Sequence, residues 1–223
     1  MPWIFGPKAP MLLYVNYSTP VIHRTSYDGG QLSDNFEIPR RLPVVDTHSK
    51  LEGIDAEGLN KLATKNKENP SGGHKVIKTK TIAEAGFRNL TYVRDHKPFL
   101  ISEPPQLLGD DDAPNPTEYA LGALGSCISV GLLANATERG VTLDKIEVDL
   151  EGDIDISATW GVGDLDPQKV LGVSHVRVNV TLDGDADDAT LQEITDAAIK
   201  WSPVVNTFTR QVTFDTQLNA EKN

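Results

Sequence analysis

One stretch of the chain constrains its fold more than any other. Almost every residue from 119 to 136 is apolar or small, and a helix of that composition has to be covered on all sides. The flanking residues predict where it begins, since Asn115 can cap it, Pro116 suits its first position and Glu118 can complete a capping box. Gly140 is a typical C-terminal stop. The chain is therefore predicted to fold around one long core helix.

A membrane span is the competing interpretation of this apolar stretch. The stretch is shorter than the roughly 20 residues that cross a bilayer. It also carries three polar residues: Ser126, Ser129 and Asn135. We therefore expect a core helix and no association with a membrane.

Short strands are predicted on both sides of the helix. Three apolar stretches separated by turn residues predict an antiparallel meander ahead of it: residues 75–82, 87–93 and 98–102. Behind it, apolar and polar residues alternate over 146–151 and 175–182, as in half-buried strands. A helix over 191–201, a break at Ser202-Pro203, a further short helix and a last strand near 212–218 complete the chain. The order βββ-α-ββ-α-α-β predicts an α+β fold with antiparallel sheets around the central helix.

Residues 1–73 are predicted to form an extension to the main domain, which occupies residues 74–223. Residues 1–50 are rich in proline and show no sustained helix or strand period, so we expect an extended arm there. A short helix is predicted over residues 55–66. The Asn-Pro-Ser-Gly-Gly stretch that follows the short helix marks the boundary.

The charge of the chain disfavours several classes of partner. Its formal net charge is −11, and between residues 144 and 196 only Lys145, Lys169 and Arg177 are basic. Such a surface repels phosphate backbones and anionic lipids, so we expect neither nucleic acid nor membranes as partners. The first residues hold no uninterrupted apolar run that would make a secretion signal, and we expect a cytoplasmic protein.

Cys127 is the only cysteine, which excludes an internal disulfide and any multi-cysteine metal site. The five histidines show no metal-ligand spacing, and we expect neither a metal nor an organic cofactor. Burial among apolar neighbours in the middle of a helix keeps a thiol protonated and unreactive. From its position alone Cys127 can be structural or catalytic, and catalysis would need a cation from elsewhere in the fold.

The segment Asn115-Pro-Thr-Glu-Tyr-Ala-Leu-Gly-Ala-Leu-Gly-Ser-Cys127 resembles the helix signature of the OsmC/Ohr (osmotically inducible, organic hydroperoxide resistance) family. In that family an Asn-Pro dipeptide precedes the peroxide-reacting cysteine by this interval. The resemblance extends upstream over residues 102–109 and downstream over residues 201–208. It covers about two thirds of the chain, and its motifs are fairly specific when found in this order.

The resemblance implies an intertwined homodimer with active sites at the subunit interface. There a cysteine thiolate attacks the peroxide O–O bond and becomes a sulfenic acid. An arginine in the early strands stabilises the thiolate, and Arg88 best matches that position, with Arg94 as its substitute. A guanidinium does not lose its proton, so it favours the charged thiolate over the thiol.

Two positions depart from the family pattern. Peroxidases of the family have a glutamate directly after the Asn-Pro, whereas this chain has Thr117 there and Glu118 one place later. Glu118 is therefore a candidate catalytic residue that can equally be the capping-box carboxylate. Ser202 stands where two-cysteine members carry a resolving cysteine, which points to the single-cysteine, OsmC-like branch. A sulfenic acid on Cys127 would then need an external thiol reductant.

Three functions are compatible with these residues. The leading one is a peroxidase that reduces small organic hydroperoxides, with Cys127 as nucleophile, Arg88 as activator and Glu118 as a further candidate. The second is a cysteine hydrolase or acyl-transfer enzyme, which requires a carboxylate-oriented histidine beside Cys127. The third is a non-catalytic dimer that holds a small hydrophobic ligand.

Assembly into a homodimer is also expected from the core helix itself. Six short strands and one broken helix can cover only part of an all-apolar helix, so a second subunit should cover the rest. Three glycines would let helices from the two subunits approach closely: Gly122, Gly125 and Gly131. The arm of residues 1–50 would wrap around the partner subunit.

Overall fold

A computed structural model describes residues 51–220 of the chain. The predicted arm of residues 1–50 lies outside this range. The described residues all belong to one compact unit, and the boundary predicted after residue 73 stays a prediction. The predicted short helix is present as α1, Ala56–Glu68. The carboxylate of Asp55 caps α1 by accepting a hydrogen bond from the amide of Gly58 at 3.0 Å.

The predicted meander is confirmed as a three-stranded antiparallel sheet. Its strands are β1 (Lys80–Ala83), β2 (Asn89–Tyr92) and β3 (Phe99–Ile101), paired in chain order. The first strand was predicted too long, because residues 75–79 are exposed and pair with no strand within residues 51–220. The buried Thr91 holds the first pair together through a 2.9 Å hydroxyl–hydroxyl bond to Thr81.

The long core helix is α2, Pro116–Arg139, and both of its ends are as predicted. Asn115 and Glu118 form a reciprocal capping box, which satisfies two amides that would otherwise lack partners. Gly140 ends the helix in the left-handed conformation with φ +70°, which a residue without a Cβ adopts at no steric cost. Local side-chain chemistry therefore sets the position of everything that α2 carries.

The two alternating segments form a second antiparallel sheet and are longer than predicted. They are β4 (Leu143–Asp155) and β5 (Gly172–Gly184). Their apolar residues face α2, while four acidic residues of β4 point to solvent: Glu147, Asp149, Glu151 and Asp153. The opposite faces of this sheet therefore match the alternation of the sequence.

The end of the chain agrees with prediction except for its last strand. The broken helix is present as α3 (Asp188–Trp201) and α4 (Pro203–Thr209). The strand predicted near residues 212–218 is absent, since residues 211–220 have no regular secondary structure and are exposed. Alternating apolar residues form a strand only where backbone groups find a neighbouring strand to pair with. None of the strands that the structure describes offers that pairing.

The core lies between α2, the β4–β5 sheet and α3. Leu124, Ile128 and Leu132 supply the buried face of α2, and they pack against Leu143, Ile194 and Ala198. The opposite face of α2 is open in this chain, and Val130 on that face is 69% exposed. Three small residues share the open face: Gly122, Ala123 and Ser126. The described residues thus cover α2 on one side only.

Two of the three glycines of α2 pack against residues of their own chain, whereas the prediction placed them against a helix of a second subunit. A methyl group added at Gly125 would lie 3.0 Å from Leu150 of β4, and one added at Gly131 would lie 3.2 Å from Ala198 of α3. These glycines permit close packing inside the chain, so assigning them to a contact between subunits was wrong. A methyl group at Gly122 would meet nothing within 4 Å.

By length and composition α2 could also cross a membrane. Core helices of soluble proteins meet the same test. Here the buried face of α2 packs along a sheet whose other face carries charged residues, which favours the interpretation of α2 as a core helix.

Candidate functional site

Cys127 lies in the middle of α2 at the border between its buried and open faces. Its side chain is half-buried. One helical turn away on either side, Ala123 and Val130 belong to the open face. The thiol is therefore close to the surface of this chain, although the sequence predicted full enclosure.

Ser202 is the hydrogen-bond partner of Cys127. Its hydroxyl donates to the sulfur, with 3.2 Å between Oγ and Sγ, and its side chain is 3% exposed. The residue lies at the junction of α3 and α4, where the following Pro203 disfavours helical geometry for it and so ends α3. This break in the helix directs the Ser202 hydroxyl toward α2.

The same hydroxyl also caps α4. Ser202 Oγ accepts a hydrogen bond from the amide of Val205 at 3.1 Å. Because that amide can only donate, the oxygen accepts there, and its single proton is free to point at the sulfur of Cys127. One buried hydroxyl thus connects the first turn of α4 to the thiol.

No histidine within residues 51–220 forms a hydrogen bond with Cys127. His96 interacts with Arg94 over 2.8 Å in the turn after β2, and His74 and His175 are exposed. The carboxylate-oriented histidine that a cysteine hydrolase requires is therefore missing from the described part of the site.

Arg88 lies in the turn before β2 and is paired with acidic residues. Its guanidinium forms an ion pair with Asp112 and a second with Glu84 at 3.5 Å. Arg94 has a positive φ of 51° and forms its hydrogen bond with His96. Neither arginine contacts Cys127 within the chain, so the structure does not bring together the predicted pair of nucleophile and activator.

Glu118 has the capping role that was one of its two interpretations. Its carboxylate accepts a 2.7 Å hydrogen bond from the amide of Asn115, and its own amide donates to the Asn115 side chain at 2.9 Å. Both contacts stabilise the start of α2. Glu118 and the adjacent Thr117 also line a cavity next to that helix end.

This cavity was not anticipated, and we call it the Glu103 cavity. It has a volume of about 550 Å³ and lies between the first turns of α2, the end of β4 and the β4–β5 connection. Glu103 is only 8% exposed. Burial, and then the negative charge of Glu118, raises the pKa of the Glu103 carboxyl above its ordinary value. The only signal in the sequence was a glutamate between a short strand and two prolines.

Trp160 stands at the edge of the Glu103 cavity in an unusual backbone conformation. Thr159 and Trp160 have positive φ angles of 45° and 51°, a region that residues with a Cβ seldom adopt. The indole stacks on Phe87 with 5.2 Å between ring centroids. This contact holds the aromatic ring beside the cavity.

A smaller cavity of about 270 Å³ lies between β5, α2 and α4. Leu124 and Ile128, which flank Cys127 in the sequence, contribute to its wall, as do Val205 and Phe208 of α4. In the described residues no group of three or more histidine, cysteine, aspartate or glutamate side chains is arranged to hold a metal ion.

Comparison with known proteins relates this site to one family. Residues 109–217 match the family model described as OsmC-like protein. An OsmC-like protein from Mycoplasma pneumoniae aligns with a TM-score of 0.51 at 14% identity, over 60% of this chain and 88% of that one. An OsmC-like protein of unknown function from Vibrio cholerae also gives 0.51, at 11% identity over 60% and 94%. At identities this low, the two structural alignments show a shared fold and nothing more.

A more distant match is the organic hydroperoxide resistance protein OhrB of Bacillus subtilis, with a TM-score of 0.41 at 19% identity over 60% of this chain and 90% of that one. No curated protein sequence matched the chain. The matched region contains Cys127, its contact Ser202 and the β4–β5 sheet with the helices packed on it. The domain of residues 109–217 is therefore similar to OsmC-like proteins.

Proposed function

We propose that this protein is a thiol-dependent peroxidase that reduces small organic hydroperoxides, with Cys127 as its nucleophile. The thiolate attacks one peroxide oxygen and the O–O bond breaks. The alkoxide leaves and takes up a proton to become an alcohol, while the sulfur becomes a sulfenic acid. Similarity to OsmC-like proteins supports this class of chemistry.

The contact between Ser202 and Cys127 is the observation that carries the proposal. The hydrogen bond that Ser202 donates fixes the orientation of the sulfur, which is the atom that would attack the peroxide. The hydroxyl is buried at 3% exposure, so water competes with it little. Cys127 itself is half-buried at the border of the open face of α2, so it is not fully enclosed by its own chain.

Arg88 is the proposed activator of Cys127, although in the single chain its guanidinium is paired with carboxylates and does not contact the thiol. Within the chain its guanidinium is held by Asp112 and Glu84. We propose that it contributes to catalysis in the assembled dimer, since the family resemblance implies active sites at the subunit interface. Glu118 is the weaker candidate, because its carboxylate is already engaged by Asn115.

The dimer itself is proposed from the open face of α2. Gly122, Ala123 and Val130 expose small or apolar surface along a helix that otherwise forms the core. A second copy of the chain would remove this surface from water, which is the main driving force of obligate association. Such an interface would run directly beside Cys127.

The reductant in this proposal is an external thiol. Cys127 is the only cysteine, so the sulfenic acid has no partner in its own chain. One external thiol condenses with it to a mixed disulfide and releases water, and a second thiol then frees Cys127 and leaves as the oxidised disulfide. The cytoplasm, where we expect the protein, supplies such thiols.

The proposal is tested by incubating the protein with an alkyl hydroperoxide and weighing it by mass spectrometry. One added oxygen on Cys127 is expected, together with hydroperoxide consumption when a thiol reductant is present. The Cys127→Ser variant should show neither. A protein that keeps a free, unoxidised Cys127 and consumes no hydroperoxide would contradict the proposal.

A second candidate function is non-catalytic binding of a small ligand. The Glu103 cavity favours it, because about 550 Å³ with largely apolar walls is typical of ligand sites. Ligand affinity that persists in the Cys127→Ser variant, without peroxide consumption by the natural protein, would favour this candidate. The hydrolase alternative gains no support from the described residues, since none of their histidines contacts Cys127.

A further inference from the structure

We propose that the Glu103 cavity binds a small amphiphile with a cationic head group and an apolar tail, and that the carboxylate of Glu103 binds the head group. A primary alkylammonium ion has the required chemistry. The proposal concerns a site apart from Cys127, which does not line the cavity. Binding there would be unaffected if the peroxidase proposal were wrong.

The carboxyl of Glu103 has no protein partner among the described residues. More than nine tenths of the residue is buried, yet its carboxylate forms no hydrogen bond or ion pair with any residue in the 51–220 range. Its backbone carbonyl is satisfied by the amide of Asp111 at 3.1 Å, so only the side chain is left over. The carboxylate oxygens are not fully enclosed, so they can be reached from the cavity that Glu103 lines. A ligand that donates hydrogen bonds would supply the missing partner.

The charges around the cavity select the sign of the head group. Glu118 and Asp155 line the cavity together with Glu103, and no lysine or arginine lines it. The negative field of three carboxylates attracts a cation and repels a carboxylate or phosphate. Burial, and then the negative charge of Glu118, raises the pKa of the Glu103 carboxyl, because both disfavour its ionised form. An ammonium group would relieve that repulsion.

The rest of the lining suits an apolar tail. Five leucine and isoleucine side chains contribute to it: Leu107, Leu121, Ile154, Ile156 and Leu171. Trp160 is 62% exposed at the edge, and an indole face also attracts cations. The left-handed backbone at Thr159 and Trp160 is costly to maintain, and such local strain tends to persist at binding sites.

The test is calorimetric titration of the full-length protein with three ten-carbon probes, n-decylamine, n-decanol and n-decanoate. Decylamine is expected to bind at least about tenfold more tightly than decanoate, with decanol between them. Glu103→Gln keeps the shape of the side chain and removes its charge, and it should weaken decylamine binding about tenfold while leaving decanol unchanged. The matched control is Glu193→Gln on the exposed side of α3, which removes one negative charge away from the cavity.

Trp160→Ala provides a second variant, because an exposed side chain can be truncated with little risk to folding. It should weaken decylamine more than it weakens decanol. Equal affinity for decylamine and decanoate would overturn the proposal. So would an unchanged decylamine affinity in Glu103→Gln, or the absence of any binding by the natural protein.

Discussion

The hydroxyl of Ser202 donates a hydrogen bond to the sulfur of Cys127 over 3.2 Å, and the two residues are 75 positions apart in the chain. Ser202 stands where the family resemblance places a resolving cysteine in two-cysteine members. The contact brings the side chains of residues 202 and 127 as close together as a cysteine pair would require. This contact allows two direct tests of the site.

Ser202→Cys should convert the protein into a two-cysteine form. A disulfide needs its sulfurs about 2.05 Å apart, and the present 3.2 Å contact leaves only a small adjustment. After mild oxidation we expect both thiols to be lost and the mass to fall by that of two hydrogens. Ser126→Cys is the control, because residues adjacent on a helix point in different directions and cannot pair. Two free thiols in oxidised Ser202→Cys would mean that the contact is not maintained in solution.

Ser202→Ala should slow the reaction of Cys127 with iodoacetamide at neutral pH. The variant loses a hydrogen bond to the reacting sulfur worth about 1 kcal/mol, which corresponds to roughly a fivefold slower rate. Ser202→Thr retains a hydroxyl and should restore most of the rate. Ser126→Ala, on the open face of α2, should have no effect. An unchanged rate in Ser202→Ala would show that the hydroxyl serves only as the cap of α4.

Local rules made much of this fold predictable. Asn115, Glu118 and Gly140 act through side-chain and backbone chemistry within one helical turn, so the ends of α2 could be read directly. The prediction of a strand near residues 212–218 was wrong. Alternation of apolar and polar residues shows which face of a strand would be buried, but it does not show whether another strand is available for pairing.

The candidate site was less accessible from the sequence, because its contacts join distant segments. Cys127 and Ser202 could be associated only through the family motifs. The burial of Glu103 depends on a loop that folds back on itself, where a Cβ at Gly109 would overlap the Glu103 backbone and the amide of Ser102 bonds to the carbonyl of Pro114 at 3.3 Å. Neither hydrophobic periodicity nor a sequence motif predicts that a loop folds back in this way.

Val130→Glu should prevent the proposed dimer. Val130 is 69% exposed in the single chain and would be covered by a second subunit, where an unpaired charge is strongly unfavourable. Sedimentation at micromolar concentration should show a dimer for the natural protein and a shift to monomer for the variant. Gln192→Glu adds the same charge to the exposed side of α3 and should remain dimeric. A natural protein that sediments as a folded monomer would contradict the proposed assembly.

Variants of Glu118 should separate its capping role from a catalytic one. Glutamine can also complete a capping box, so Glu118→Gln should retain the stability of the protein, whereas Glu118→Ala should lose about 0.5–1 kcal/mol. If Glu118 only caps α2, Glu118→Gln will react with an alkyl hydroperoxide at the natural rate. A drop of about tenfold or more in that rate, with unchanged urea denaturation, would instead place the carboxylate in the chemistry.

Glu103→Gln should stabilise the protein near neutral pH and have no such effect in acid. The folded state raises the pKa of this carboxyl, chiefly through burial, so folded Glu103 holds its proton more tightly than unfolded Glu103. As the pH rises above the ordinary glutamate value of about 4.3, the unfolded state ionises first and the free energy of unfolding falls until the folded-state pKa is passed. Glutamine does not titrate and avoids that loss.

Urea denaturation should therefore give a higher midpoint for Glu103→Gln than for the natural protein at pH 7, and equal midpoints near pH 4. Glu193→Gln, whose carboxylate is exposed on α3, should show no such difference between the two pH values. A Glu103→Gln protein that is less stable at pH 7 would mean that the carboxylate has a favourable partner in solution, and it would remove the reason to expect a cationic ligand there.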